Sequence, residues 1–169
     1  MQLTPIKIDL LTLPQDTLED KIAASALTLH EHDVVVIASK VVAIAEGRTV
    51  PKDTARGRAH KDELIKQDAE WYVPRSEVPG EVVMHAITHG QLAVSAGVDP
   101  VGDYYVLWPE DPMQSATELH AFLTKTYGIK NLGVIVSDSK STPLRRGVIG
   151  GAIGWAGIDP LYDNRDRTD

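Results

Sequence analysis

Residues 132–157 read LGVIVSDSKSTPLRRGVIGGAIGWAG, and the rest of the chain is organised around them. Residues 133–136 (GVIV) have the continuous apolar character of a buried strand, which delivers Ser137, Asp138 and Ser139 to its end. A polar turn with Pro143 follows, then Arg145 and Arg146, then five glycines between Gly147 and Gly157. A carboxylate and hydroxyls at a strand end, with guanidinium groups and pliable backbone beyond, suit a metal ion and phosphate groups. The same residues also read as a surface loop leading into a glycine-rich strand. Both readings stand on this stretch alone.

The whole chain narrows the choice. With 169 residues it is long enough for one domain with a real core. A hydrophobic fraction of 43% and a charged fraction of 24% belong to a globular protein. The net charge of -7, with no basic run to offset it, speaks against nucleic-acid binding by phosphate neutralisation. Cysteine is absent, which excludes disulfides and thiolate metal sites. The first residues, MQLTP, have neither a basic nor an apolar leader region, and no apolar run approaches the roughly 18 residues of a membrane span. A cytoplasmic location is expected.

Along the chain, residues 3–13 alternate apolar positions and predict an edge strand with Pro5. Asp16 with Glu19 predicts a capping box, and Leu18, Ile22, Ala26 and Leu29 continue at helical spacing. Residues 33–38 (DVVVIA) predict a strand covered on both faces, ending at Ser39 and Lys40, where open α/β sheets place ligand contacts. Residues 41–48 fit a short helix or a strand equally, and 51–61 predict an aperiodic connection. A helix is expected over 62–71, a hairpin over 82–95 around Thr88-His89-Gly90, and a strand over 104–108. Asp111, Pro112 and Gly128 bracket the clearest helix. Strands and helices intermix without strict alternation, so the expected class is α+β.

Asp99 and Asp138 each follow a buried apolar segment. Hard divalent ions in phosphate chemistry take one or two carboxylates and fill the rest with water and phosphate oxygen. Ordinary turn aspartates capping backbone N–H groups are the alternative. Arg145 and Arg146 suit an oxyanion, or form a solvated pair beside a turn. The six histidines form no zinc signature, and no GxSxG elbow, Walker motif or strand-linked GxGxxG is present. A nucleotide, if bound, is held by a less common device.

The ordered segments SKVVAIAEGR, SAGVD, LWPEDP, VIVSDS, RRGVIGGAIGWAG and PLYDNR together resemble the coenzyme F-420 gamma-glutamyl ligase family, from about Asp33 onward. YVPR and LWP look like a short bacterial subgroup described as folate-metabolism gamma-glutamate ligases. The resemblance implies a mixed α+β fold of the family's own and a homodimer. It implies a ligase that uses GTP with Mg2+ or Mn2+ to join L-glutamate to a carboxylate of a phosphate-bearing deazaflavin or folate-like acceptor. The acceptor carboxylate is first phosphorylated, and the amine then attacks the acyl phosphate. The family's metal aspartates fall on Asp99 and Asp138, its following hydroxyl on Ser139, and its nucleotide contact on Ser39 and Lys40; Arg145 and Arg146 match an arginine pair assigned to phosphate or substrate.

Departures accompany it. Gly102 stands where the family often has asparagine, Ile44 where it has lysine, and the family's Gly-Leu-Pro-like nucleotide segment is not recognisable near Ile8. The family also continues beyond the position of Asp169, so residues 1–169 are expected to form one ligase-like domain lacking that C-terminal part. A non-catalytic metal- or nucleotide-binding relative, and a metal-dependent phosphatase or phosphotransferase, are the alternatives.

Overall fold

The structure, a computed structural model, describes residues 2–9, 11, 15–142 and 144–165. Strand β1 (Val34–Ala38) runs parallel to β8 (Gly133–Lys140), with Val34 opposite Gly133 and Ala38 opposite Ser137. Strand β9 (Ile149–Ala156) pairs antiparallel with the other edge of β8, completing a mixed sheet in the order β1-β8-β9. The apolar run and the glycine-rich stretch thus become neighbours in one sheet.

Helix α4 (Pro112–Tyr127) covers a face of that sheet. Asp111 accepts from the backbone N–H groups of Met113 and Gln114, Pro112 opens the first turn, and Gly128 closes the last in the left-handed conformation at φ 68°. The helix buries Ser115, Ala116, Leu119 and Leu123 on one stripe. A Cβ at Gly154 would overlap the carbonyl of Pro112, so a glycine lets β9 lie directly against the start of α4. Leu119, Leu123, Val134, Val136 and Ile153 lead the resulting core, joined by Leu18 and Ile22 of α1 (Leu18–Ala23) and Val42 of α2 (Ser39–Ala45).

Two antiparallel three-stranded sheets complete the α+β fold. One orders β2 (Thr49–Pro51), β7 (Tyr104–Val106) and β6 (Asp99–Val101). The other orders β3 (Trp71–Val73), β4 (His85–Thr88) and β5 (Gln91–Val94). The β4–β5 hairpin turns through His89 and Gly90, at φ 50° and 66°, the paired positive values of a type I′ turn. Helix α3 (Arg58–Asp68) joins these sheets through a second core that includes Leu64, Ile65, Met84, Val98 and Leu107.

Several expectations are corrected. No strand forms over the described residues 2–9 and 11; Leu3 is 81% exposed, while Ile8 and Leu11 anchor an irregular segment to the first core. Residues 10 and 12–14 lie outside the described residues. The first helix is capped by Thr17, whose side chain accepts from the Asp20 N–H, and it ends at Ala23, well short of Leu29. The 51–61 connection gives up its last residues to α3, which starts at Arg58, and Trp71 belongs to a strand rather than to that helix.

Candidate functional site

Strand β8 does not stop at Val136. It continues through Lys140, so Asp138 and Ser139 lie inside a paired strand rather than at its end. Pairing shifts between Val136 and Ser137, where β9 contributes one extra residue, Ile153. Such a bulge re-aims the side chains beyond it. Beyond the bulge, Asp138 and Ser139 face Gly151 and Gly150, which carry no side chains to cover them.

Parallel register explains the partner of Asp138. Ala38 lies beside Ser137, so the next residue of the first chain segment, Ser39, falls beside Asp138. Its buried hydroxyl donates to Asp138 Oδ1 at 2.8 Å. The other carboxylate oxygen, Oδ2, accepts from the indole Nε1 of Trp108 at 2.7 Å. Ser39 and Lys40 open helix α2 directly after β1, which resolves the ambiguity of residues 41–48 in favour of a helix.

Lys40 turns to the second aspartate. Its ammonium lies 2.5 Å from Asp99, the first residue of β6, which follows a tight turn at Ser95–Gly97. Asp99 therefore starts an exposed strand instead of ending a buried one. The hydrogen bond with Asp99 raises the Lys40 pKa above its ordinary value, and the charges of Asp99 and Asp138 add to the shift against an opposing effect of burial. Both carboxylates thus act on one cation. A consecutive pair, Ser39 and Lys40, ties together aspartates from two different sheets.

Trp108 was not among the residues singled out from sequence. It is buried, with its carbonyl accepting from Arg48 Nε at 3.0 Å. The same guanidinium pairs with Asp68 at 2.5 Å and Glu110 at 3.0 Å. Glu46 accepts from the Glu110 N–H and from the Ser115 hydroxyl, clamping the chain on the other side of Pro109. The AEGR turn is thereby the brace that fixes Trp108. The His89 ring stacks against the indole at a centroid distance of 6.3 Å. The indole also lies over Gly97, at φ 73°, where an added Cβ would overlap it.

A small cavity of about 40 Å³ opens beside Asp138, lined by Gln91, Ala93, Trp108, Ser139, Lys140 and the β9 bulge. That size admits water or an ion and not a nucleotide. Arg145 and Arg146 are exposed on the turn between β8 and β9 and do not line it. Among the described residues no three His, Asp or Glu side chains converge on a metal position. Two carboxylates that already act on a shared cation fit a hard divalent ion that brings water and phosphate oxygens as its remaining ligands.

The fold is α+β, and its candidate site is built on two aspartates from different sheets that Ser39 and Lys40 tie together. The profile of the F420-0:Gamma-glutamyl ligase family matches residues 6–169, and the chain belongs to that family. It is 35% identical over 186 residues to the coenzyme F420:L-glutamate ligase of Methanopyrus kandleri, covering all of this chain and 71% of that protein. With the protein of the same name from Halorubrum lacusprofundi it shares 36% identity, covering 93% of this chain and 68% of the relative. The Methanococcus maripaludis counterpart is 30% identical, covering all of this chain and 72% of its own length. Among the described residues no helix is long and apolar enough to cross a membrane.

Proposed function

We propose that this protein is a GTP- and divalent-metal-dependent ligase that joins L-glutamate through an amide bond to a carboxylate of a deazaflavin precursor of coenzyme F-420. A folate-like acceptor is the second candidate for the same chemistry. The observation that carries this reading is the convergence of Ser39–Asp138 and Lys40–Asp99 within a family whose relatives are named for glutamate ligation.

Asp138, oriented by Ser39 and Trp108, and Asp99 would hold Mg2+ or Mn2+. When bound, the ion supplies neutralisation of phosphate oxygens. Ser139, beside Asp138 on β8, is a further oxygen donor for metal or nucleotide. Lys40 offers an ammonium to phosphate oxygen as Asp99 is engaged elsewhere. The acceptor carboxylate takes the terminal phosphoryl group of GTP, releasing GDP, and the glutamate amine then displaces phosphate from the acyl phosphate. Positioning of the two reactants supplies most of the acceleration. Arg145 and Arg146, exposed on a turn, are available to a phosphate-bearing acceptor approaching from solvent.

The reading extends to a cytoplasmic homodimer, for which edge strand β1 offers one exposed apolar surface among the described residues: Val34 and Val36 are 50% and 61% exposed. The net charge of -7 agrees with small-molecule partners rather than nucleic acid.

The test is a coupled assay of GDP release and glutamate addition with Mg2+ or Mn2+, run on deazaflavin and folate-type acceptors. Glutamate-dependent GDP release supports the reading. Phosphate release that is independent of glutamate identifies a phosphatase instead, and metal binding without GTP binding identifies a non-catalytic relative.

A further inference from the structure

Gln91 is the first residue of β5 and pairs with Thr88 across the turn made by His89 and Gly90. Its half-buried side chain leaves the hairpin and reaches the mixed sheet. There the amide Nε2 donates to the carbonyl of Ile153 at 3.4 Å, across 62 positions of chain. Ile153 is the residue that β9 contributes in excess at the bulge, between the pairs Val136–Gly154 and Ser137–Ala152. A bulge leaves its extra residue out of the ladder, and a buried carbonyl then needs a donor from elsewhere. Ile153 is buried, and the donor that reaches it is a side chain from another sheet.

The bulge is what aims Asp138. A slip of one residue in pairing turns every later side chain to the other face, so the strand beyond Val136 depends on where the extra residue sits. Gln91, Trp108, Asp138 and Ile153 line one cavity. The same hairpin meets the site a second way. The His89 ring lies within 15° of parallel to the indole that donates to Asp138 Oδ2. One turn thus holds both supports of the carboxylate: the indole behind it, and the bulge in the strand beside it. The turn itself is set by positive φ at His89 and Gly90 and does not call for glutamine at the next position.

We propose that Gln91 is a positioning residue, which pins the β9 bulge and through it the aim of the Asp138 carboxylate at Trp108. Gln91 acts through Ile153 and touches no reacting atom in this role. What Asp138 binds rests on the ligase reading, whereas how Asp138 is aimed does not.

Proton–nitrogen spectra of the full chain give the readout, because it has three tryptophans and Trp108→Phe identifies the Trp108 indole signal. The variants are Gln91→Met, which keeps length and flexibility but not the donor, and Gln114→Met, the same change at an exposed position of α4. Loss of one net hydrogen bond at the bulge predicts about fivefold faster solvent exchange of the Trp108 indole N–H in Gln91→Met. Its proton signal moves upfield as the bond to Asp138 loosens, Gln114→Met matches wild type, and both variants unfold cooperatively. A Trp108 signal and exchange rate unchanged in Gln91→Met overturn the proposal, even if that variant melts lower, since Gln91 would then support the fold alone. Mn2+ titration of the same proteins is the arm that rests on the ligase reading, with about fivefold weaker binding expected in Gln91→Met. Wild-type protein that binds no Mn2+ overturns that reading, and the indole signal still decides the role of Gln91.

Discussion

Trp108 Nε1 donates to Asp138 Oδ2 across 2.7 Å, although 30 positions separate the two residues. The indole therefore does two things at once. One edge orients the carboxylate of β8, while its ring lies on Gly97, two residues before Asp99. A single side chain couples the geometry of both aspartates.

Trp108→Phe separates these roles. The ring still covers Gly97, but Asp138 loses one of its two donors. The Mn2+ affinity, read by titration, is expected to fall about tenfold while the melting temperature drops only modestly, because one buried hydrogen bond is worth about 1 kcal/mol net. Unchanged Mn2+ affinity would count against Trp108 as a positioning residue.

Asp138→Asn removes charge and keeps shape. The amide oxygen can still accept from Trp108, and its NH2 can donate to the Ser39 oxygen once that hydroxyl rotates. The expected stability loss is under about 1 kcal/mol by chemical denaturation, with at least about a tenfold loss of Mn2+ affinity. Wild-type-like metal titration would remove Asp138 from the ligand set.

Gly97→Ala combines two penalties. The backbone at φ 73° disfavours an L side chain, and the new Cβ overlaps the buried indole. A destabilisation of about 3 kcal/mol or more is expected in urea unfolding. A small effect would mean that Trp108 moves aside freely, contrary to its role as a fixed donor.

The Arg75 guanidinium holds the Asp62 carboxyl below its usual value of 3.8. A depressed folded pKa contributes stability that is present above the unfolded value and is lost as pH falls through the folded one. Asp62→Asn is therefore expected to lower the melting temperature at pH 7 and to approach wild type only in acid well below pH 3.8. A difference that does not narrow in acid would show that the pair acts through shape rather than charge.

Lys61→Met gives the opposite sign. Burial lowers the folded pKa of Lys61, so its charge costs stability at neutral pH, and the wild type recovers as pH rises from that lowered value towards 10.5. The variant is expected to melt slightly higher than wild type at pH 7, with the gap closing at alkaline pH. A lower melting temperature would show that the ammonium supports the fold.

Where local chemistry decides structure, the sequence was readable. The Asp111 cap, Pro112 and Gly128 located α4, and the VVVIA and GVIV runs located β1 and β8; the expectation that residues 33–38 are covered on both faces fails, because β1 is an edge strand with Val34 and Val36 exposed. The segment near Leu3 misled because alternation says nothing about whether a partner strand exists. The pairing of Ser39 with Asp138 was invisible for a related reason: it depends on parallel register between strands 99 residues apart, and no local pattern encodes that. Trp108 enters the sequence reading only within the 104–108 strand and the LWP segment, since an indole N–H declares its acceptor only after the sheets are placed. Lys61 closes the 51–61 stretch, which reads as an aperiodic connection, so nothing in the sequence puts it on α3.

The β1–β8 pairing also sets an order of events during synthesis. Edge strand β1 has β8 as its one partner in the sheet, and about a hundred residues must leave the ribosome before that partner exists. Until then β1 is a nascent apolar strand with both edges open, and Ser39 has no Asp138 to meet. The Ser39–Asp138 pair therefore stays apart until β8 has been made, and a product interrupted before β8 carries an aggregation-prone edge and an unassembled candidate site.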